Sequence, residues 1–167
     1  FFFVLSGIGM TLGYENKILN GEISLSEFMK RRVKYIFPLM WLTLFVTLIL
    51  EGMYKVRTGN TFVYPNFDIY HFFLNLFGMQ NGILELGWSF NSPSWCVSIL
   101  LCCYFVFYFC VQRVKKDNIV SAYVVIALAG CVTLVSGFNY LVLNSLMGRG
   151  FSCFFIGAIV AKIYMNR

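Results

Sequence analysis

The chain has 167 residues, 59% of them hydrophobic and 19% aromatic, only 12% charged, and a formal net charge of +6. That is too little polar surface to coat a soluble globule of this length, so a water-soluble enzyme or binding module is excluded and a bilayer is the expected solvent. The positive balance alone could point to nucleic acid, but the placement of the charges, described below, argues against that partner.

Apolar runs cover residues 1 to 14, 36 to 53, 95 to 111, 119 to 136 and 151 to 165. A hydrocarbon core takes about 20 helical residues to cross, and lipid obliges each run to satisfy its backbone internally, as a helix does. The runs are continuous rather than alternating, which argues against a β-barrel. The expected fold is therefore all-α, a polytopic transmembrane helical bundle of about five spans plus one re-entrant or interfacial helix.

The first run opens on Phe1-Phe2-Phe3, with neither an initiating Met nor a basic leader. The expectation is a chain truncated at its N-terminus, beginning inside a span, and clipped after Lys162 to Arg167 as well. Asn20-Gly21 marks a turn, and the capping-box pattern Ser24-x-x-Glu27 predicts a helix from Leu25. That helix carries Lys30, Arg31, Arg32 and Lys34 into the run at 36, where Pro38 removes a backbone donor and favours a kink.

Between 54 and 94 a further apolar stretch runs from Ile69 to Leu86. Asp68, His71, Asn75, Gly78, Gly82 and Glu85 recur along it at intervals of three or four, drawing a polar or small stripe down an oily helix. Such a helix needs a wet or protein-lined groove, and it is expected to be re-entrant or interfacial on the outer side; the alternative is a sixth span. In Asn91-Ser92-Pro93-Ser94-Trp95, Ser92 as N-cap and Pro93 at the first helical position would open the next helix. Trp88 and Trp95 suit the interface belt.

These spans put Lys17, Lys30, Arg31, Arg32, Lys34, Arg113, Lys115, Lys116, Lys162 and Arg167 on one side, and only Lys55, Arg57 and Arg149 on the other. Such asymmetry marks the first side as cytoplasmic and assigns the charge to membrane topology rather than to nucleic acid. The six cysteines fall in or beside the spans without metal-ligand spacing. They read as small apolar packing residues rather than a metal site or a disulfide framework.

The motifs Phe1-Phe2-Phe3-Val4-Leu5-Ser6-Gly7, Phe28…Arg31-Arg32…Ile36-x-Pro38 and Asn91-x-Pro93-x-Trp95 occur in that order. Phe72-Phe73-Leu74-Asn75-Leu76-Phe77 lies between the last two, and Arg149-Gly150-Phe151…Phe155-Ile156-Gly157 follows. This arrangement resembles the acyltransferase-3 family of integral-membrane O-acyltransferases, covering the whole chain but only about half of a typical member. The resemblance implies a multi-pass cell-membrane protein that moves an acyl group, often acetyl from acetyl-CoA, onto a hydroxyl of a surface polysaccharide or lipid-linked sugar. Its partners would be membrane lipid, a carbohydrate acceptor and acyl-CoA as donor substrate, with no permanently bound cofactor. Residues 1 to 167 would then form a single partial acyltransferase-like domain, inactive alone, because the family's catalytic His falls on a span upstream of Phe1.

Carried over residue by residue, Arg31 and Arg32 are donor-binding candidates, joined by Lys34, which lies one position before the usual third Arg, since guanidinium forks and an ammonium match the phosphates of coenzyme A. The competing reading is an ordinary juxtamembrane cluster facing anionic headgroups. Tyr35 stands where the family usually has a further Arg. Asn91, Ser92, Trp95, His71, Glu85 and Arg149 are candidates for an acceptor cavity, against the plainer readings of satisfied interfacial polar residues and a snorkelling Arg. Leu100 occupies a position that is acidic in the family. Tyr35 and Leu100 keep open a second reading, a non-enzymatic degenerate scaffold or a small transporter.

Overall fold

The computed structural model describes residues 1–62, 64–80, 88–137 and 144–165. Its helices are α1 (Phe2–Leu19), α2 (Leu25–Thr58), α3 (Ile69–Phe77), α4 (Trp95–Arg113), α5 (Ile119–Val135) and α6 (Ser145–Met165). Short 3-10 turns at Ser92–Ser94 and Lys116–Asn118 lead into α4 and α5. Among the described residues there is no strand, only an isolated bridge between Asn66 and Ser89. The expected all-α fold is the observed one.

Among the described residues four segments are long and apolar enough to cross a bilayer: Leu25–Thr58, Ser92–Arg113, Lys116–Val135 and Ser145–Met165. The first expected span is the exception to the count. It belongs to α1, whose 18 residues include Glu15, Asn16 and Lys17 near its end, and this polar final turn keeps it out of that group. The capping box predicted the start of α2 correctly: Glu27 N donates to Ser24 Oγ at 3.3 Å and the helix begins at Leu25. It continues unbroken through Pro38.

The chain divides into two compact units, Phe1–Lys30 with Ile99–Arg167, and Arg31–Ser98. In the first unit α1 lies tightly on α6. A side chain at Gly7 would collide with the backbone carbonyl of Phe154, and one at Gly157 with that of Val4, so glycine at both positions lets the backbones approach. Around this seam Phe28, Phe107, Tyr123, Phe154 and Phe155 are fully buried. Phe28, the aromatic residue of the Phe28…Arg31 motif, sits against Tyr14, Tyr104 and Tyr108, with centroids 5.3, 6.2 and 5.6 Å away. Its role is to anchor the first turn of α2.

One ionic cluster lies inside this unit. Glu15 is completely buried; Lys162 Nζ lies 2.6 Å from its Oε1, and Tyr123 Oη donates to its Oε2 at 3.0 Å. Glu15 is near the end of α1, Tyr123 near the start of α5 and Lys162 near the end of α6. These bonds require those three helix ends to share one side, the same grouping that the loop charges gave independently.

In the second unit, Trp41 Nε1 of α2 donates to the Leu76 carbonyl of α3 at 2.9 Å, and Phe45 contacts Phe72. Glu51, buried in the last turns of α2, accepts from Phe62 N at 2.9 Å and ties down the loop that follows.

Candidate functional site

The second unit contains a polar interior built mainly from α3 and the turn that opens α4. α3 is shorter than expected. It begins at Ile69, capped by Asp68, whose Oδ1 accepts from His71 N at 2.9 Å. It ends at Phe77 because Gly78 adopts the left-handed conformation (φ 66°). Gly78 N then bonds Asn75 O and Met79 N bonds Leu74 O, the paired pattern of a Schellman stop. Nine residues span about 13 Å, under half of the roughly 30 Å hydrocarbon core. As a helix, the expected stripe ends at Asn75, and Gly82 and Glu85 lie outside the described residues.

The faces of α3 are inverted relative to a soluble helix. His71 and Asn75 are buried with Leu74, whereas Ile69, Tyr70, Phe73 and Phe77 are exposed. This is what a lipid-facing helix with a polar interior requires.

Asn75 Nδ2 donates to His71 O at 2.8 Å and to Ser89 Oγ at 2.9 Å. Gln80 Nε2 bonds Asn75 Oδ1 and donates to Ser94 Oγ at 2.5 Å, while Ser94 Oγ donates to Asn91 O at 2.6 Å. Gln80 N donates to Ser98 Oγ at 3.0 Å, and Ser98 Oγ in turn donates to Gly78 O at 2.5 Å. Asn91 Nδ2 donates to Thr43 Oγ1 of α2 at 2.7 Å. Asn75, Gln80, Ser89, Ser92, Ser94 and Ser98 are all buried. Such a network is costly unless its members are satisfied, since each orphaned polar group costs about 1–3 kcal/mol.

At one edge of the network stands an Asp–His pair. Asp68 Oδ2 lies 2.7 Å from His71 Nδ1, so both carboxylate oxygens are engaged by this one residue. The bond from the His71 backbone amide holds the Asp68 carboxyl below its ordinary pKa, aided by the bond to the ring.

The structure brings several predicted residues together and leaves others apart. His71, Asn91, Ser92 and Trp95 all belong to this unit, with His71 and Ser92 buried and Asn91 and Trp95 half-buried. The capping detail differs. A 3-10 turn at Ser92–Ser94 precedes α4, its N-cap is Asn91 rather than Ser92, and the Asn91 side chain reaches Thr43 instead of capping. Pro93 accordingly holds the second position of the turn rather than the expected first. Arg149 is an exposed residue of α6 in the other unit. Arg31, Arg32 and Lys34 lie on the early turns of α2, Arg31 and Lys34 exposed and Arg32 half-buried.

Gln80, Ser89, Ser94 and Thr43 were not singled out by sequence as site candidates, and Ser98 entered only as a match to the family motif that opens at Asn91. The available signals were Ser94 and Ser98 one turn apart in an apolar run, and Gln80 just beyond the Gly78 stop. Elsewhere, a groove of about 300 Å³ is lined by Val125, Ile126, Ala129, Thr133, Met147 and Phe151 of α5 and α6. It offers lipid a surface but no charge or base.

A family model described as an acyltransferase domain, Acyl_transf_3, matches residues 1–167. No curated protein and no solved structure matches the chain. With its apolar helices and whole-chain match, the protein belongs to the acyltransferase-3 family of membrane acyltransferases.

Proposed function

We propose that the protein transfers an acyl group, acetyl from acetyl-CoA in the first instance, to a hydroxyl of a surface polysaccharide or lipid-linked sugar at the cell membrane. The observation that carries this reading is the buried polar network around Asn91, Ser94 and Gln80, built on one of the family's motifs in a chain whose outer faces are apolar. In the transfer a base takes the hydroxyl proton, the oxygen attacks the thioester carbonyl, the C–S bond breaks and the thiol of coenzyme A leaves. On this reading residues 1–167 supply binding and orientation, and none of them is assigned the role of that base.

On this reading Arg31, Arg32 and Lys34 hold the donor's phosphates at the cytoplasmic face. Arg31 and Lys34, one helical turn apart and exposed, offer two cations to one polyanion. Asn91, Ser92, Trp95 and His71 line the acceptor side, with Glu85 and Arg149 as outlying candidates. Leu100 favours the rival scaffold reading, because it is 1% exposed and packs as an ordinary apolar residue of α4.

The test uses the full-length protein in native membranes with labelled acetyl-CoA. The wild type should transfer label to glycan, and Arg31→Ala with Arg32→Ala should lose donor binding by about ten-fold or more, each charge-assisted contact contributing roughly 1.5–3 kcal/mol. Correctly inserted wild type without transfer to any glycan would favour the scaffold.

A further inference from the structure

We infer that His71 Nε2 is the hydrogen-bond acceptor for a hydroxyl of the acyl acceptor. The inference rests on the proposed function and adds to it a contact atom and a ligand chemistry.

His71 is 6% exposed, and its Nε2 is buried with no hydrogen-bond partner among the described residues. Its neighbours are different. Asn75, Gln80, Ser89, Ser94 and Ser98 all find partners. An interior so thoroughly paired has one imidazole nitrogen left open, and an open buried nitrogen is unfavourable until something binds it.

The ring is held for that purpose. Asp68 grips the residue twice, at the backbone N by Oδ1 (2.9 Å) and at Nδ1 by Oδ2 (2.7 Å). The ionised carboxylate assigns the ring proton to Nδ1, so in the neutral ring Nε2 presents a lone pair. A lone pair accepts from an O–H or N–H and repels a carboxylate, a phosphate or a carbonyl oxygen. Among the described residues no group of three His, Cys, Asp or Glu side chains could hold a metal ion. A polyhydroxylated acceptor supplies the required donor. Asp68 is then a positioning residue, and His71 the group that touches substrate.

The experiment uses full-length protein in lipid nanodiscs, ¹⁵N-labelled at histidine, with methyl glucoside as the hydroxyl probe. His71 is assigned by the signal missing in His71→Asn or His71→Gln. At a pH where the ring is neutral, Nε2 should resonate as an unprotonated nitrogen and move upfield when the glucoside saturates. In acetyl transfer to the same glucoside, His71→Asn keeps a donor near the Nδ1 position for Asp68 but deletes Nε2, and should raise the acceptor KM about ten-fold, the effect of one hydrogen bond, with kcat within about two-fold.

An unmoved Nε2 signal at saturating probe overturns the inference, and insertion of either variant suffices to assign that signal. So does an unchanged KM in inserted His71→Asn, as expected if only water fills the site, and so does a fall in kcat at constant KM. If wild type transfers acetyl groups while Nε2 stays silent, this inference falls and the proposed function stands. If Nε2 responds but no transfer occurs, the proposed function falls, and of the inference only the hydroxyl contact at Nε2 survives, not its assignment to an acyl acceptor.

Discussion

The two units handle polarity in opposite ways. In Phe1–Lys30 with Ile99–Arg167, Glu15, Lys162 and Tyr123 bond one another amid buried aromatic rings, and they serve to hold helix ends together. Among the described residues of Arg31–Ser98 the buried polar groups are mostly uncharged amides and hydroxyls, gathered around one short helix, with the Nε2 of His71 left open. Buried charge that pairs completely is structural, because lipid makes any other arrangement too costly. A neutral network with a vacant acceptor leaves room for a ligand's donor.

The sharpest way to break this contrast is at the ion cluster. Lys162→Met strands the Glu15 carboxylate and should destabilise the protein by about 3–5 kcal/mol, read as a lowered midpoint of denaturation in detergent. Adding Glu15→Gln should restore most of the loss; a double variant as unstable as the single would mean that the pair does more than neutralise itself.

The next effect is at the helix seam. Gly157→Leu pushes a side chain into the α1 backbone at Val4, and overpacking of this kind costs about 1–3 kcal/mol. Thermal unfolding in detergent measures it, and a midpoint equal to wild type would refute the close approach.

In the other unit, Gln80→Ala leaves the Asn75 carbonyl and the Ser94 hydroxyl short of a donor, costing about 1–3 kcal/mol and disordering the Asn91 turn. The activity loss should exceed that of a seam variant of equal stability. The smallest change is Asp68→Ala, which removes an N-cap worth about 1 kcal/mol. Hydrogen exchange should show faster opening of the first turn of α3, while Asp68→Asn, which keeps a capping oxygen, should not.

Most of the architecture was legible because lipid imposes a simple rule, a continuous apolar run forming a helix. Ser24 and Glu27 even marked where α2 starts. Harder to read was whether a marginal run crosses: residues 1 to 14 look apolar until Glu15 and Lys17 are seen to belong to the same helix. Residues 69 to 86 carried a convincing helical stripe, yet Gly78 stops the helix after nine residues. A Gly in an apolar helix looks equally like a packing residue, and only its φ reveals the stop. The site was legible in part. Asn91 and His71 stand out as polar residues in oily surroundings, but Gln80, Ser94 and Ser98 acquire meaning only when the chain folds back and brings them within bonding distance.

Whether one unit's polarity serves the fold and the other's serves the reaction can be measured directly. Acyl transfer per correctly inserted full-length molecule is compared for Gln80→Ala and for the double variant Glu15→Gln with Lys162→Met. The account predicts near wild-type transfer in the double variant and a loss of ten-fold or more in Gln80→Ala, where a single disrupted polar contact already accounts for about ten-fold. Full transfer in Gln80→Ala together with inactivity of a stable, inserted double variant would contradict it.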